Sequence, residues 1–155
     1  MNAVVYDSGM LIALIGRERR ALVLHKGVVA GRGHAPVIPG PALSRVWRTS
    51  PKTAYAWKRL LAESAVYPPG PIRDGGAGAQ CLPCASGMTV EDWKTLGDMI
   101  GEAVLAPKKR PDPVDALAVL IAAKHGGGTV LTSDVGDMEA YIRTIPGCGV
   151  NAVPV

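Results

Sequence analysis

The sequence predicts an α/β domain, with a short central sheet of four to five parallel strands and helices on both faces. Two observations predict it. Brief apolar, β-branched runs (NAVVY, PVI, TVLT, GVNAVPV) alternate with longer stretches bounded by helix-start and helix-stop residues. Strands that alternate with helices run parallel, and the crossover helices cover the sheet. The length agrees: 155 residues is one domain's worth. A domain near this size buries roughly 70% of its unfolded surface, so its core needs no disulfide or metal staple. With no phenylalanine, that core rests on Leu, Val, Ile and Ala.

Asn2–Tyr6 is read as a buried strand that stops at Asp7-Ser8-Gly9, a turn with a good N-cap residue. Met10–Ile15 continue as helix. Gly16 breaks it, and a second helix starts at Arg17-Glu18-Arg19-Arg20 and runs through Leu22, Val23 and Val29. Pro36–Ile38 is the second strand, followed by helices over Ala42–Arg48 and Thr53–Glu63. Tyr67–Gly78 (YPPGPIRDGGAG) has the composition of a loop, and the whole excursion, about 67–79, is long for one domain. Gln80–Pro83 is read as a third strand. Thr89-Val90-Glu91-Asp92 opens a helix with acids in its first turn, running to about Val104. After the basic loop PKKRP, Asp112 caps a helix with Pro113 in its first turn, and the helix ends at His125 before three glycines. Thr129–Thr132 is the fourth strand, a short helix reaches Arg143, and Gly149–Val155 closes the chain as the last strand.

No apolar run reaches the ~18 residues needed to span a bilayer. The N-terminus has Asp7 inside its apolar stretch and no basic lead, so it is not read as a signal peptide, and a cytoplasmic protein is expected. Three cysteines in that compartment are expected to be free thiols. The net charge of +4 is unevenly spread. Residues 1–60 hold ten Lys or Arg and two acids, a balance of +8, and residues 61–155 hold seven against eleven, a balance of −4. A basic N-terminal half suits a polyanion such as RNA; it is equally what an unevenly charged solvated surface looks like.

In open α/β sheets ligands bind beyond the carboxyl ends of the strands. Asp7 follows the first strand and Asp134 the fourth, with Asp137 three residues on. If those strands are neighbours, these acids converge. Asp115 lies in DPVDALAVLIAA, a helix apolar all round and therefore buried. Each acid has an alternative reading taken singly: Asp115 as a first-turn acid facing backbone N–H groups, Asp7 as a turn former, Asp134 and Asp137 as caps. Gathered together they would repel one another, and such a cluster is normally neutralised by a hard, oxygen-seeking cation, Mg²⁺ or Mn²⁺. That is the equipment of metal-assisted phosphodiester hydrolysis.

These residues resemble the PIN-domain ribonucleases, and among them the VapC-like toxins of VapBC toxin–antitoxin pairs. The matching segments are VVYDSGMLIALI, PVIPGPALSRVWR and DPVDALAVLIAAKHGGGTVLTSDVGDM. The resemblance implies a three-layer α/β/α domain spanning 1–155 and a Mg²⁺- or Mn²⁺-dependent endoribonuclease. It implies catalytic, metal-holding carboxylates at Asp7, Asp115 and Asp134, with Asp137 as an auxiliary metal acid and Ser8, Thr132 and Asp112 in supporting roles. It also implies a homodimer and a cognate antitoxin. The family often carries a second acid, usually Glu, in the helix after the second strand; here Ser44 and Arg45 stand there. Arg45 either binds a substrate phosphate or pairs with the aspartates and leaves a degenerate module that binds RNA or a partner without cleavage. Arg48 and Arg17, with Arg19 and Arg20, are further candidates for the RNA backbone.

Other constellations are weaker. Cys81-Leu82-Pro83-Cys84 has C-x-x-C spacing, but Ser86-Gly87 follow at once and no helix is expected to start at the pair, as a redox site needs. Zinc needs four ligands, and Cys148 and three scattered histidines (His25, His34, His125) share no metal spacing with the pair. An incidental pair is expected. Trp47 and Trp57 suit core or dimer packing better than base stacking.

Overall fold

The computed structural model of the chain describes residues 2–31, 33–68 and 81–155. Its strands are β1 (Ala3–Tyr6), β2 (Val37–Pro39), β3 (Ala65–Tyr67), β4 (Gly128–Thr132) and β5 (Val150–Pro154). They form one parallel sheet in the order β3-β2-β1-β4-β5. Among the described residues the helices are α1 (Ser8–Ile15), α2 (Arg19–Ala30), α3 (Gly40–Val46), α4 (Pro51–Ala62), α5 (Leu82–Ser86), α6 (Val90–Glu102), α7 (Pro113–Lys124) and α8 (Val135–Ile142). None is long and apolar enough to cross a membrane.

The sheet is buried on both faces, and successive strand residues alternate between them. Val5, Val37 and Val130 point into one core with α6, α7 and α8. Tyr6, Ile38 and Leu131 point into the other with α1, α2, α3 and α4. The architecture is thus three-layered, α/β/α, as expected. The strongly basic residues 1–60 build most of one layer, so the charge asymmetry of the sequence becomes an asymmetry of the two faces.

α7 is the central helix. Its residues Ala116–Ala122 are all buried, and it packs on β1, β2, β4 and β5 between α6 and α8. A helix with no wet face has to read as continuous apolar sequence, as this one does. Asp112 caps it by accepting the Val114 N–H at 2.9 Å. α6 opens on a reciprocal capping box between Thr89 and Asp92. At the start of β4, Gly128 has φ +147°, and a Cβ there would lie 2.0 Å from the Ala3 carbonyl oxygen. Glycine is what lets β4 lie flush against β1.

One expectation is corrected. The third strand is Ala65–Tyr67, ahead of the loop, and not Gln80–Pro83. In the latter segment the described residues Leu82–Ser86 form α5, whose first turn holds Pro83. A proline lacks the N–H that a ladder needs, and the first turn of a helix does not need it. The expected excursion lies outside the described residues from 69 onward.

Candidate active site

β1 and β4 are direct neighbours, with Tyr6 opposite Leu131. The residues that follow, Asp7 and Asp134, therefore leave the sheet side by side. The close approach needs Gly9: a Cβ there would fall 2.2 Å from Ser133 Oγ and 2.9 Å from the Ser133 backbone nitrogen. α7 begins over the same edge, so Asp115 lies within electrostatic reach of Asp7, Asp112 and Asp137. The four predicted carboxylates come together from β1, α7 and the β4–α8 turn.

Their environments differ. Asp7 is 5% exposed, and its Oδ1 accepts the Met10 N–H at 2.8 Å, capping α1. Burial pushes its pKa up, the Thr132 hydroxyl and the N–H groups of Met10 and Gly9 pull it back, and Asp134 pushes it up further. Asp115 is pushed to about 7 by burial, then by Asp112 and Asp7. Asp112 is held below the ordinary carboxylate range by Arg45, which grips it with two parallel bonds, Nη1–Oδ2 at 2.7 Å and Nη2–Oδ1 at 3.0 Å. Asp134 is held low by Lys109, whose ammonium contacts Asp134 and also Asp137 at 2.9 Å. So Asp7, buried, and Asp115, half-buried, have no direct ion pair among the described residues and feel Arg45 only at a distance, whereas Asp112, Asp134 and Asp137 are paired already.

The supporting residues fall where expected. Thr132 is fully buried and its Oγ1 accepts the Asp134 N–H at 2.9 Å. Asp112 caps α7, and its own N–H donates to the Tyr141 hydroxyl at 2.7 Å. Ser8, 8% exposed, has a buried Oγ with no hydrogen-bond partner. A buried hydroxyl left unpaired costs on the order of 1–3 kcal/mol, so it marks a place that a ligand or bound water completes. The capping readings hold as well: Asp7 caps α1, and Asp134 caps α8 by accepting the Asp137 N–H at 3.2 Å. The cap takes Oδ1 of each, and Lys109 holds Oδ2 of Asp134.

Arg45 stands beside the acids, but it pairs with Asp112, not with Asp7 or Asp115. Arg48 is spent locally, donating to the Arg45 and Trp47 carbonyls at 3.1 and 2.6 Å. Arg17 is not at the acids. It lies past the far end of α1, eight residues or about 12 Å of helix from Asp7, with Lys26, Lys52 and Arg59 along a groove of about 820 Å³ between α1, α2 and α4. Lys109 was missed; its signal was the basic loop PKKRP just ahead of Asp112. Trp47 and Trp57 pack against each other, ring centres 5.2 Å apart, with Trp57 buried.

The histidines are not scattered. Among the described residues, His34 and His125 meet Cys81 and Cys84, with one ligand atom from each within 4.8 Å of the others. The four aspartates are not drawn into so tight a set. Cys81 also caps α5, so a helix does start at the pair, against expectation. His25 is separate: buried, it joins the Tyr6 hydroxyl and Glu63, each at 2.9 Å. None of Cys81, Cys84 and Cys148 is in a disulfide. No family model matches the chain, and no curated protein matches it.

Proposed function

We propose that the protein is a metal-dependent endoribonuclease of PIN type that hydrolyses RNA phosphodiester bonds. The observation that carries this is the meeting of Asp7, Asp115, Asp134 and Asp137 beyond the carboxyl ends of two adjacent parallel strands. The donors fit Mg²⁺ or Mn²⁺: all are oxygens, Asp7 is buried and Asp115 half-buried with no ion-pair partner among the described residues, and the orphaned Ser8 hydroxyl lies beside Asp7.

Asp7, Asp115 and Asp134 would hold the ion, with Asp137 as auxiliary. When bound, the ion supplies a water of lowered pKa and positive charge for the leaving oxygen. Burial pushes the Asp115 carboxyl up to about 7, so it would give up its proton on holding the cation. Thr132 fixes the turn that carries Asp134, and Asp112 keeps Arg45 at the cleft's rim, where a guanidinium meets a phosphate. Lys109, exposed and paired with Asp134 and Asp137, would be free to meet the RNA backbone once an ion took its place. The basic layer α1–α4 supplies further phosphate contacts without sequence preference. A toxin role, a cognate antitoxin and a homodimer belong to the same reading. Ile12, Val23 and Tyr55 give this layer exposed apolar side chains for a protein partner.

One observation favours a second reading, a module that binds RNA without cutting it. Arg45 and Lys109 together occupy Asp112, Asp134 and Asp137. The deciding experiment is cleavage of a mixed pool of structured RNAs with Mn²⁺ or Mg²⁺ against EDTA. Cleavage that needs the metal is expected. Salt-sensitive RNA binding with no Mn²⁺ uptake would overturn the nuclease reading, and Arg45→Glu should then create a Mn²⁺ site.

A further inference from the structure

Four side chains that the nuclease reading leaves unused meet near the other end of α7. His34 lies three residues ahead of β2, and His125 ends α7 three residues ahead of β4. Cys81 and Cys84 lie at the start of α5. His34 Nε2 is 3.1 Å from Cys81 Sγ and 3.4 Å from Cys84 Sγ, and Cys84 Sγ is 3.3 Å from His125 Nε2. In a tetrahedron with metal–sulfur bonds of about 2.3 Å and metal–nitrogen bonds of about 2.0–2.1 Å, nitrogen and sulfur stand about 3.5 Å apart. Three of the four nitrogen–sulfur pairs already have nearly that spacing, and all four donors lie within 4.8 Å of one another.

The imidazoles point to the same thing independently. His34 Nδ1 lies 2.6 Å from the Ala35 carbonyl oxygen, and His125 Nδ1 lies 2.7 Å from that of Ile121. A carbonyl only accepts, so each Nδ1 carries the hydrogen and each Nε2 turns a lone pair into the cluster. A carbonyl behind the ring, fixing tautomer and orientation, is the usual support of a metal-binding histidine. Cys84 and His125 are buried, and His34 and Cys81 are half-buried. The His34 and His125 rings meet edge to face at 5.2 Å, with Tyr67 edge-on to His125 at 6.2 Å.

We propose that His34, Cys81, Cys84 and His125 bind one Zn²⁺ in a closed tetrahedral site that fastens α5 to the end of α7 and the entry to β2. Two sulfurs and two imidazoles select zinc over the hard ions suited to the aspartates. Four protein ligands leave no open position, so the site is structural. The exchange balances: two thiol protons leave as Zn²⁺ enters, and two thiolates with Zn²⁺ are neutral, which suits a buried place. α5 gains most. It is five residues long, too short to hold its place by its own hydrogen bonds.

The rival for the same atoms is a redox dithiol. Cys81 caps α5, which favours a thiolate there, but Cys84 is buried, with its sulfur 3.4 Å from His34 Nε2 and 3.3 Å from His125 Nε2. A disulfide would also leave both Nε2 lone pairs facing sulfur with no proton to accept.

The test uses the full, untagged chain purified without chelator. Metal content is measured by plasma mass spectrometry, and Co²⁺ is exchanged in after stripping. One zinc per chain is expected, with the thiolate charge-transfer and strong visible bands of tetrahedral cobalt. Cys81→Ser and His34→Gln, which change the two half-buried ligands, should each weaken Zn²⁺ by more than the roughly 10–100-fold that losing a supporting partner costs. Asp7→Asn should keep its zinc, which separates this site from the acids. A folded wild-type chain that holds no zinc and gives no tetrahedral cobalt spectrum after reduction would overturn the proposal, whether or not a Cys81–Cys84 disulfide is found. The wild-type spectrum decides even if a variant fails to fold.

Discussion

Asp115 and His125 lie ten residues apart on one buried helix, a carboxylate cluster at one end and a sulfur–imidazole cluster at the other. A rise of 1.5 Å per residue puts them about 15 Å apart. The seven buried apolar residues between them, Ala116–Ala122, keep the two polar groups in separate surroundings. Oxygen donors gather at one end, and sulfur and nitrogen donors at the other. Softness therefore sorts the ions that each end takes. Damage at the acids should lower cleavage without loss of zinc, and damage at the cysteines should lose zinc and stability.

Asp7 has two jobs, and two substitutions separate them. Asparagine caps a helix about as well as aspartate, whereas alanine costs about 1 kcal/mol of cap. Asp7→Asn removes only the charge. Metal-dependent RNA cleavage should fall on the order of 100-fold or more. Stability in EDTA at pH 8 should hold or rise, because a buried carboxylate disfavoured by desolvation is gone. Unchanged cleavage, measured beside a thermal melt, would remove Asp7 from the metal site.

Asp115 makes the metal-free protein sensitive to pH. Its folded pKa is raised to about 7, against roughly 3.9 unfolded. A raised acid contributes stability that is complete below the unfolded value and is lost as pH rises through the folded one. In EDTA the melting temperature should therefore drop between pH 5 and 8. A loss on the order of 2 kcal/mol is about 4–8 °C for a chain of this size. Asp115→Asn should flatten that slope. Asp112 and Asp134, held low by Arg45 and Lys109, act in the opposite sense and only in acid, whereas His125, lowered by burial, opposes the slope inside this window and Asp7, raised by burial, adds to it, so the reading is the difference between the two proteins. Parallel profiles for the two proteins would mean that another group titrates.

The acids were legible because each sits at a place that local rules mark: a turn after an apolar run, or the first turn of a helix with no polar face. β3 was not legible. Three residues, Ala65–Tyr67, fall between the end of α4 and a proline pair, too few for alternation to show. Pro83 looked tolerable at the end of a strand and in fact serves the first turn of α5. The cations on the acids were hidden for a different reason. Arg45 and Asp112 lie 67 residues apart and Lys109 and Asp134 lie 25 apart, and only packing brings them together. The cysteine–histidine cluster was missed because its ligands come from a loop, α5 and the end of α7. Zinc spacing rules read ligands within one short segment, and only C-x-x-C does that here.

Gly9 tests the geometry without touching a carboxylate. A methyl group at this position meets Ser133 backbone as well as its side chain, so the β4–α8 turn has to move. Overpacking of this kind costs typically 1–3 kcal/mol. Gly9→Ala should remain folded and lose cleavage out of proportion to its stability, because Asp134 moves away from Asp7. Mn²⁺ titration calorimetry should show weaker binding. Wild-type affinity in a destabilised variant would mean that the Asp7–Asp134 spacing does not matter.

Lys109 sets the last expectation, because it already stands on two of the acids. Its ammonium contacts Asp134 and Asp137, so a metal ion has to compete with it. Lys109→Met keeps the aliphatic stem and removes the charge. Mn²⁺ should then bind roughly two- to tenfold tighter, a modest gain because the lysine is exposed and screened by solvent. RNA binding should move the other way. If Lys109 passes to a phosphate when the ion arrives, its loss should weaken RNA binding to a metal-loaded, cleavage-defective chain and reduce the salt slope by about one. Tighter metal with unchanged RNA binding would make Lys109 a counter-ion of the empty cleft. Unchanged metal affinity would take Asp134 and Asp137 out of the ion's reach.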